Sequence, residues 1–197
     1  MNLIDYMPLA MRTEKQLPTN ERLQHGCLGL ITEAGEIVTE IKRTEIYKKE
    51  LSADRMVHIC EEIGDIMWYV AIFVNVLQIE PSTLEYQPRM PRPEEGEDSD
   101  KMVVLSMVLG EHIGRICFGV MKCEMQGVVT LEDKGLISAS IDMVLEICRI
   151  AAEHCNSTLE KCLEDNIAKL RIRYPDAYSD EAAEARADKA GADARNS

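Results

Sequence analysis

The sequence predicts an all-α fold, a bundle of four long helices plus a short N-terminal helix, and three observations support it. Hydrophobic residues make up 46% of the 197 residues but aromatic residues only 5%, which favours aliphatic helix packing over a β-sandwich. Apolar residues recur at helical spacing between Cys27 and Ile41, as on one face of an amphipathic helix. The segment from Ile63 to Leu77 is apolar on nearly every side, which is typical of a buried helix.

Periodicity and capping residues place the individual helices. Pro81 ends the buried helix, and the sequence Thr130-Leu-Glu-Asp133 resembles a capping box that begins the last long helix. Pro175 ends that last helix. The predicted helices span about 2–14, 21–47, 53–79, 101–125 and 131–173.

These elements predict one domain over residues 1–175, with a flexible tail over residues 176–197. Residues 80–100 are proline-rich and then acidic, so we expect a loop insertion there. An extra helical pair follows over residues 101–160. Glu111 precedes Asp142 by 31 residues and Glu33 precedes Asp65 by 32, which indicates an internal pseudo-repeat. The alternative is that any two helix pairs align this well.

Two pairs of carboxylates provide the main functional signal. Glu33 and Glu36 are three residues apart on the first long helix, and Glu62 and Asp65 are three apart on the buried helix. This spacing puts both members of a pair on one helical face. A buried carboxylate without a partner is costly, and a cation is the simplest partner. An oxygen-only ligand set suits Mg²⁺, with Mn²⁺ as a substitute.

Composition and missing motifs exclude several other classes of function. The net charge of −13 disfavours binding to nucleic acid and to anionic membranes. The seven cysteines include no CxxC pair, so we expect reduced thiols and a cytoplasmic protein. No uninterrupted apolar run reaches transmembrane length.

The P-loop, Rossmann and zincin motifs are absent, and a di-iron cage would need Glu-x-x-His. The remaining histidines, His58, His112 and His154, are interpreted as surface or packing residues.

The carboxylate pairs also carry a resemblance to a known family. Glu33-Ala-Gly-Glu36 followed by Glu61-Glu-Ile-Gly-Asp65 resembles the ExxE…ExxD signature of the MazG-like, all-α nucleoside triphosphate pyrophosphohydrolases. The segment from Asn166 to Ser179 is similar to the closing motif of small members. The intervening helical pair resembles the extra pair of the dimeric dUTPases, which belong to the same superfamily.

The resemblance implies a reaction, a cofactor and a set of site residues. A nucleoside triphosphate would be hydrolysed to the monophosphate and pyrophosphate, in nucleotide-pool cleansing or control. Mg²⁺ would be held by Glu33, Glu36, Glu62 and Asp65, with Glu36 or Glu62 accepting the proton of the attacking water.

Substrate contacts are expected from several further side chains. Cationic and amide groups would bind the phosphates, and Tyr69 would stack on the base because it follows Asp65 by four residues. His25 lies two turns before Glu33 and could face the same cleft. The full set of predicted substrate-binding residues is His25, Lys42, Tyr69, Lys161, Asn166, Lys169 and Arg173.

Two hypotheses about function remain open from the sequence. The first is the Mg²⁺-dependent pyrophosphohydrolase, which would act on a small nucleotide and form a homo-oligomer, a dimer or larger. The second is a catalytically silent helical bundle that regulates by binding a nucleotide or a protein.

Overall fold

Seven α-helices and one short 3₁₀ helix make up the regular structure in this computed structural model, which describes residues 1–84 and 98–185. The all-α class predicted from the sequence is confirmed. The helices are α1 (Leu3–Met11), α2 (Thr19–Glu45), α3 (Ala53–Leu77), α4 (Asp98–Gln126), α5 (Leu131–His154), α6 (Leu159–Arg173) and α7 (Asp180–Ala185), with the 3₁₀ turn at Pro81–Thr83.

Helix α3 is the centre of the bundle, because it packs against α1, α2, α5 and α6. Its apolar side chains point in all directions, and Ile63, Met67 and Val70 are fully buried. The helix ends where Gln78 adopts a left-handed conformation, with φ of 52°. The stretch predicted to be buried all round is therefore the core of the molecule.

Glycines allow the neighbouring helices to approach α3 closely. A Cβ at Gly26 would lie 2.7 Å from the Phe73 ring. A Cβ at Gly64 would lie 2.8 Å from the Cβ of Asn166 on α6. Both distances are below any that real Cβ atoms show, so these glycines set how closely α2 and α6 pack on α3.

The helical pair predicted over residues 101–160 is present as α4 and α5. Helix α4 packs along α2, and α5 packs against α3, so the pair completes a bundle around the central helix. The predicted capping box is confirmed: the Thr130 hydroxyl accepts from the Asp133 amide, and the Asp133 carboxylate accepts from the Thr130 amide. Lys122 on α4 pairs with Asp133 at 2.8 Å, which fixes the connection. The internal pseudo-repeat stays a prediction.

The prediction of one continuous helix over residues 131–173 is wrong, and the exact count of four long helices is not confirmed. Helix α5 ends at His154, Asn156 adopts a left-handed conformation with φ of 55°, and α6 begins at Leu159. The Thr158 hydroxyl caps α6 by accepting from the Lys161 amide at 3.2 Å. Asn and Thr stabilise a turn and a new cap locally, and this outweighs the apolar periodicity that continues through the break.

The cysteines at positions 148, 155 and 162, which repeat every seven residues across this break, are buried free thiols. Cys148, Cys155 and Cys162 are each at most 7% exposed. Cys60 on α3 lies within hydrogen-bonding reach of Cys155 and Cys162, and these hydrogen bonds lower the pKa of Cys60 well below its usual value. We call Cys60, Cys155 and Cys162 the thiol cluster.

Two predicted segments lie largely outside the described residues. Of the loop insertion at 80–100, residues 85–97 lie outside, while Pro81–Thr83 form the 3₁₀ turn and α4 begins at Asp98. Of the tail, α7 occupies residues 180–185 and the following residues lie outside. The division into domain and tail stays a prediction.

Within the described chain, one helical stretch, Lys101–Gln126 in α4, is long and apolar enough to cross a membrane by length and composition alone. Glu111 and Arg115 interrupt it and pair with each other at 2.8 Å. Several of its apolar side chains are exposed, namely Val104, Met107, Phe118, Met121 and Met125.

Candidate metal centre

Helices α2 and α3 bring the predicted carboxylates to one place. Glu62 is only 8% exposed and shares a hydrogen bond with Glu33 from the facing helix. Asp65, Glu33 and Glu36 all lie close enough to act electrostatically on Glu62. The carboxylates predicted from spacing alone therefore converge between the two helices.

This convergence makes Glu62 hard to ionise. Burial is the largest cause, followed by the hydrogen bond to Glu33 and by the negative charges of Asp65, Glu33 and Glu36, and together these raise the pKa of Glu62 to about 9. Burial and like charge both disfavour a second anion in the same place. A cation between the carboxylates would remove the penalty.

Glu40 shows how the chain treats a buried carboxylate whose role is structural. Glu40 is 4% exposed, and its two oxygens pair with Arg43 at 2.7 Å and Arg55 at 2.5 Å. The arginines outweigh burial and lower its pKa. Glu62 lies 22 residues further along the chain, on the facing helix, and it has carboxylates where Glu40 has arginines.

His58 is the residue that sequence reasoning missed at this centre. The sequence assigns it to surface or packing, whereas the structure places its ring between two of the carboxylates. Its Nε2 lies 3.3 Å from Glu36 Oε2, and its Nδ1 lies 3.2 Å from Glu62 Oε1. Glu36, His58 and Glu62 each offer one ligand atom, all within 4.8 Å of one another. The available signal was the spacing, because His58 precedes Glu62 by four residues and so shares its helical face.

Asp65 lies at the other side of the centre and is held by helix α6. Asn166 donates to Asp65 Oδ1 at 2.7 Å, and Lys169 Nζ lies 2.6 Å from both carboxylate oxygens. Asn166 is itself fixed by the Tyr6 hydroxyl of α1, which donates to Asn166 Oδ1 at 2.8 Å. Two of the residues predicted to bind phosphate are therefore present at the centre, where they bind a carboxylate.

Tyr69 borders the centre with its ring against α2. A Cβ at Gly29 would lie closer than 3.0 Å to the Tyr69 ring, so this glycine makes room for the aromatic side chain. Burial and the charges of Glu33 and Asp65 raise the pKa of Tyr69 to about 12, while Arg173 acts in the opposite direction. The Tyr69 hydroxyl is thus neutral at physiological pH and lies within electrostatic reach of the carboxylates and of Arg173.

His25 and Trp68 complete an aromatic group with Tyr69. The ring centroids of His25 and Tyr69 are 5.4 Å apart with perpendicular planes, and those of Trp68 and Tyr69 are 5.1 Å apart. The Trp68 indole donates to the Thr13 hydroxyl at 2.9 Å, so the N–H edge of the indole faces the segment that follows α1. Burial lowers the pKa of His25, and its Nδ1 is a buried atom with no hydrogen-bond partner among the described residues.

Two predicted substrate-binding residues are not brought to the carboxylates by any contact in the described chain. Lys42 is exposed in the last turn of α2. Lys161 is exposed on α6 and pairs with Asp165 on the same helix. Their proposed contact with substrate therefore rests on the sequence resemblance alone.

The donor set fits a divalent metal ion. Glu33, Glu36, Glu62 and Asp65 supply oxygen ligands, which Mg²⁺ prefers. Burial and the neighbouring negative charges raise the pKa of Glu62. A cation bound between the carboxylates would offset both causes. The residues present are thus suited to hold such an ion between α2 and α3.

Comparison with known families gives one match. Residues 23–83 match the model of the MazG nucleotide pyrophosphohydrolase domain, a segment that includes all four carboxylates, His25, His58 and Tyr69. Asn166, Lys169 and Arg173 lie outside the matched segment. No curated protein and no solved structure matches the chain.

Proposed function

We propose that the protein hydrolyses nucleoside triphosphates, because residues 23–83 match the MazG nucleotide pyrophosphohydrolase domain, whose family generally depends on a divalent metal. The products would be a nucleoside monophosphate and pyrophosphate, and the cofactor would be Mg²⁺. The observation that carries the proposal is the convergence of Glu33, Glu36 and Asp65 on the buried Glu62.

Each side chain has a chemical role in this proposal. Glu33, Glu36, Glu62 and Asp65 would hold Mg²⁺. When bound, Mg²⁺ would neutralise the triphosphate and lower the pKa of the attacking water. Glu36 or Glu62 would accept the proton of that water. Glu36 is the more open of the two, with a side chain 53% exposed against 10% for Glu62.

Helix α6 would bind the phosphates. Asn166, Lys169 and Arg173 are spaced three and four residues apart, so they lie along one face of α6. Lys169 now neutralises Asp65, and it would turn to a phosphate once a metal ion compensates that carboxylate. A lysine acts on phosphate as a mobile point charge, so this exchange needs only a change in side-chain rotamer.

The nucleoside would lie against the aromatic side of the centre. Tyr69 presents a neutral hydroxyl beside the carboxylates, and His25 packs edge-on against its ring. The exposed Lys42 and Lys161 would contribute long-range attraction for a polyanion rather than direct contacts.

Pyrophosphate release tests the proposal directly. The protein is assayed with Mg²⁺ against a panel of ribo- and deoxyribonucleoside triphosphates, and then with Mn²⁺. Glu62→Gln keeps the shape of the side chain but removes its charge, and we expect a loss of at least about a hundredfold, as for other groups that stabilise transition-state charge. Glu61→Gln is the matched control, because Glu61 is an exposed neighbour. Equal turnover by the Glu62 and Glu61 variants would remove the proposed site.

One observation favours the second candidate function, a catalytically silent regulator. Asp65 already has the Lys169 ammonium and the Asn166 amide as partners, as expected of a bundle stabilised without a metal ion. A regulator of this kind would bind nucleotide or protein, release no pyrophosphate and show no thermal shift on addition of Mg²⁺ or Mn²⁺.

Assembly and location are also proposals. We propose a homo-oligomer in the cytoplasm whose ligand is a small nucleotide, with neither nucleic acid nor membrane as a partner. The acidic surface, with 35 acidic against 22 basic residues, supports the exclusion of other polyanions. Light scattering coupled to size-exclusion chromatography measures the oligomeric state, and a monomer at micromolar concentration would overturn that part.

A further inference from the structure

His58 has an environment that the four-carboxylate description leaves unexplained. Each of its ring nitrogens faces a different carboxylate, Nε2 towards Glu36 and Nδ1 towards Glu62. A neutral imidazole has only one N–H donor, and its other nitrogen carries a lone pair. One of the two contacts therefore sets a lone pair against a carboxylate oxygen unless a proton or a metal ion lies between the two atoms.

Two other carboxylates in this part of the protein, Asp65 and Glu40, each have a positively charged side chain as partner. Lys169 compensates Asp65 at 2.6 Å, and arginines compensate Glu40. At the His58 side of the centre, by contrast, Glu62 has further carboxylates as neighbours.

The geometry of these side chains suits one metal ion. The ligand atoms of Glu36, His58 and Glu62 lie within 4.8 Å of one another. Metal–ligand bonds of about 2.1 Å place opposite ligands roughly 4.2 Å apart, so small rotamer changes would bring all three atoms onto one ion. His58 and Glu62 are four residues apart on α3 and Glu36 comes from α2, so the ligands join two helices.

We propose that His58 is a nitrogen ligand for a divalent cation shared with Glu36 and Glu62. This inference rests on the proposed function, and it deepens it by naming the class of metal. A mixed nitrogen and oxygen site favours Mn²⁺, Co²⁺ or Ni²⁺ relative to Mg²⁺, which prefers oxygen alone. The centre is then asymmetric, with a transition-metal position at His58 and an oxygen-ligand position towards Asp65.

Pulsed electron paramagnetic resonance of Mn²⁺ bound to the protein tests this without any turnover. An imidazole nitrogen bound to Mn²⁺ modulates the electron spin echo at ¹⁴N frequencies. We expect this modulation in the wild type and in His154→Gln, a control that removes a half-buried histidine from α5, and its loss in His58→Gln. Isotope substitution provides a test that needs no variant, because ¹⁵N-histidine in the wild type must change the modulation frequencies.

Calorimetric titration measures the selectivity. Loss of His58 should weaken Co²⁺ binding by at least about tenfold, as for other groups that hold a metal centre, and should change Mg²⁺ affinity much less. Nitrogen modulation that persists in His58→Gln, or none in the wild type with Mn²⁺ bound, would overturn the inference.

Pyrophosphate release with Mg²⁺, measured on the same wild-type preparation, separates the two proposals. Release without nitrogen modulation refutes only the role of His58. Failure to bind Mn²⁺ together with failure to release pyrophosphate refutes the proposed function as well.

Discussion

Replacing Glu62 with glutamine should make the metal-free protein more stable at alkaline pH, although it removes one of the proposed metal ligands. The pKa of Glu62 is 4.5 without the fold and about 9 within it. Between these values the folded chain holds a proton that the unfolded chain has released. Stability therefore falls as the pH rises from about 4.5 towards 9. The glutamine variant has no such proton, so it does not share this part of the loss.

The size of the effect follows from the same pKa. A change from 4.5 to about 9 corresponds to an upper limit of about 6 kcal/mol, at roughly 1.4 kcal/mol for each pH unit. Solvent screens part of it, because the neighbouring Glu36 side chain is 53% exposed. We therefore expect the difference in unfolding free energy between variant and wild type to grow by about 2–3 kcal/mol between pH 5 and pH 9.

Urea unfolding at pH 5, 7 and 9 in the presence of a chelator measures this difference. Glu61→Gln serves as control, and its difference from the wild type should stay within about 0.5 kcal/mol at each pH. Excess Mg²⁺ should stabilise the wild type more than Glu62→Gln at pH 8, because only the wild type has the full set of proposed ligands. A constant difference between Glu62→Gln and the wild type from pH 5 to pH 9 would refute the account of Glu62 given above.

Two further predictions concern packing and thiol chemistry. Gly29→Ala should destabilise the protein by about 1–3 kcal/mol, because the added methyl group overlaps the Tyr69 ring, whereas Gly35→Ala, which meets nothing within 4 Å, should stabilise it by about 0.5–1 kcal/mol. Urea unfolding decides, and effects of the same sign would contradict the packing at Gly29. Cys60 should react with iodoacetamide before Cys148, because hydrogen bonds within the thiol cluster lower the pKa of Cys60 while burial raises that of Cys148 to about 12. Mass spectrometry after brief labelling measures the order, and earlier labelling of Cys148 would contradict it.

The parts of the fold that could be predicted are those encoded by local patterns. The sequence predicts the first long helix at 21–47, and this helix runs from Thr19 to Glu45. It predicts the buried helix at 53–79, and this helix runs from Ala53 to Leu77. Continuous apolar periodicity over more than twenty residues is a strong signal. The sequence pattern hides the break after His154 because the cysteine spacing continues through it, while the signal for the break is confined to Asn156 and Thr158.

The candidate site also has a part that local spacing predicts and a part that it does not. The spacing of Glu33, Glu36, Glu62 and Asp65 places each pair on one face of its helix, so their convergence could be expected once α2 and α3 were taken as neighbours. The ion pair of Lys169 with Asp65 could not, because it depends on how α6 docks on α3 after the chain has formed two more helices. The role of Lys169 in phosphate binding stays a prediction.

The return of α6 to α3 has a consequence for how the protein matures. Lys169 follows Asp65 by 104 residues, so during translation the segment that carries the carboxylates emerges long before its counter-charge. A nascent chain that has produced only α1 to α3 exposes an acidic helix face which nothing on α6 yet neutralises. Removal of α6 would recreate that condition in the finished molecule, even though every carboxylate would remain in place.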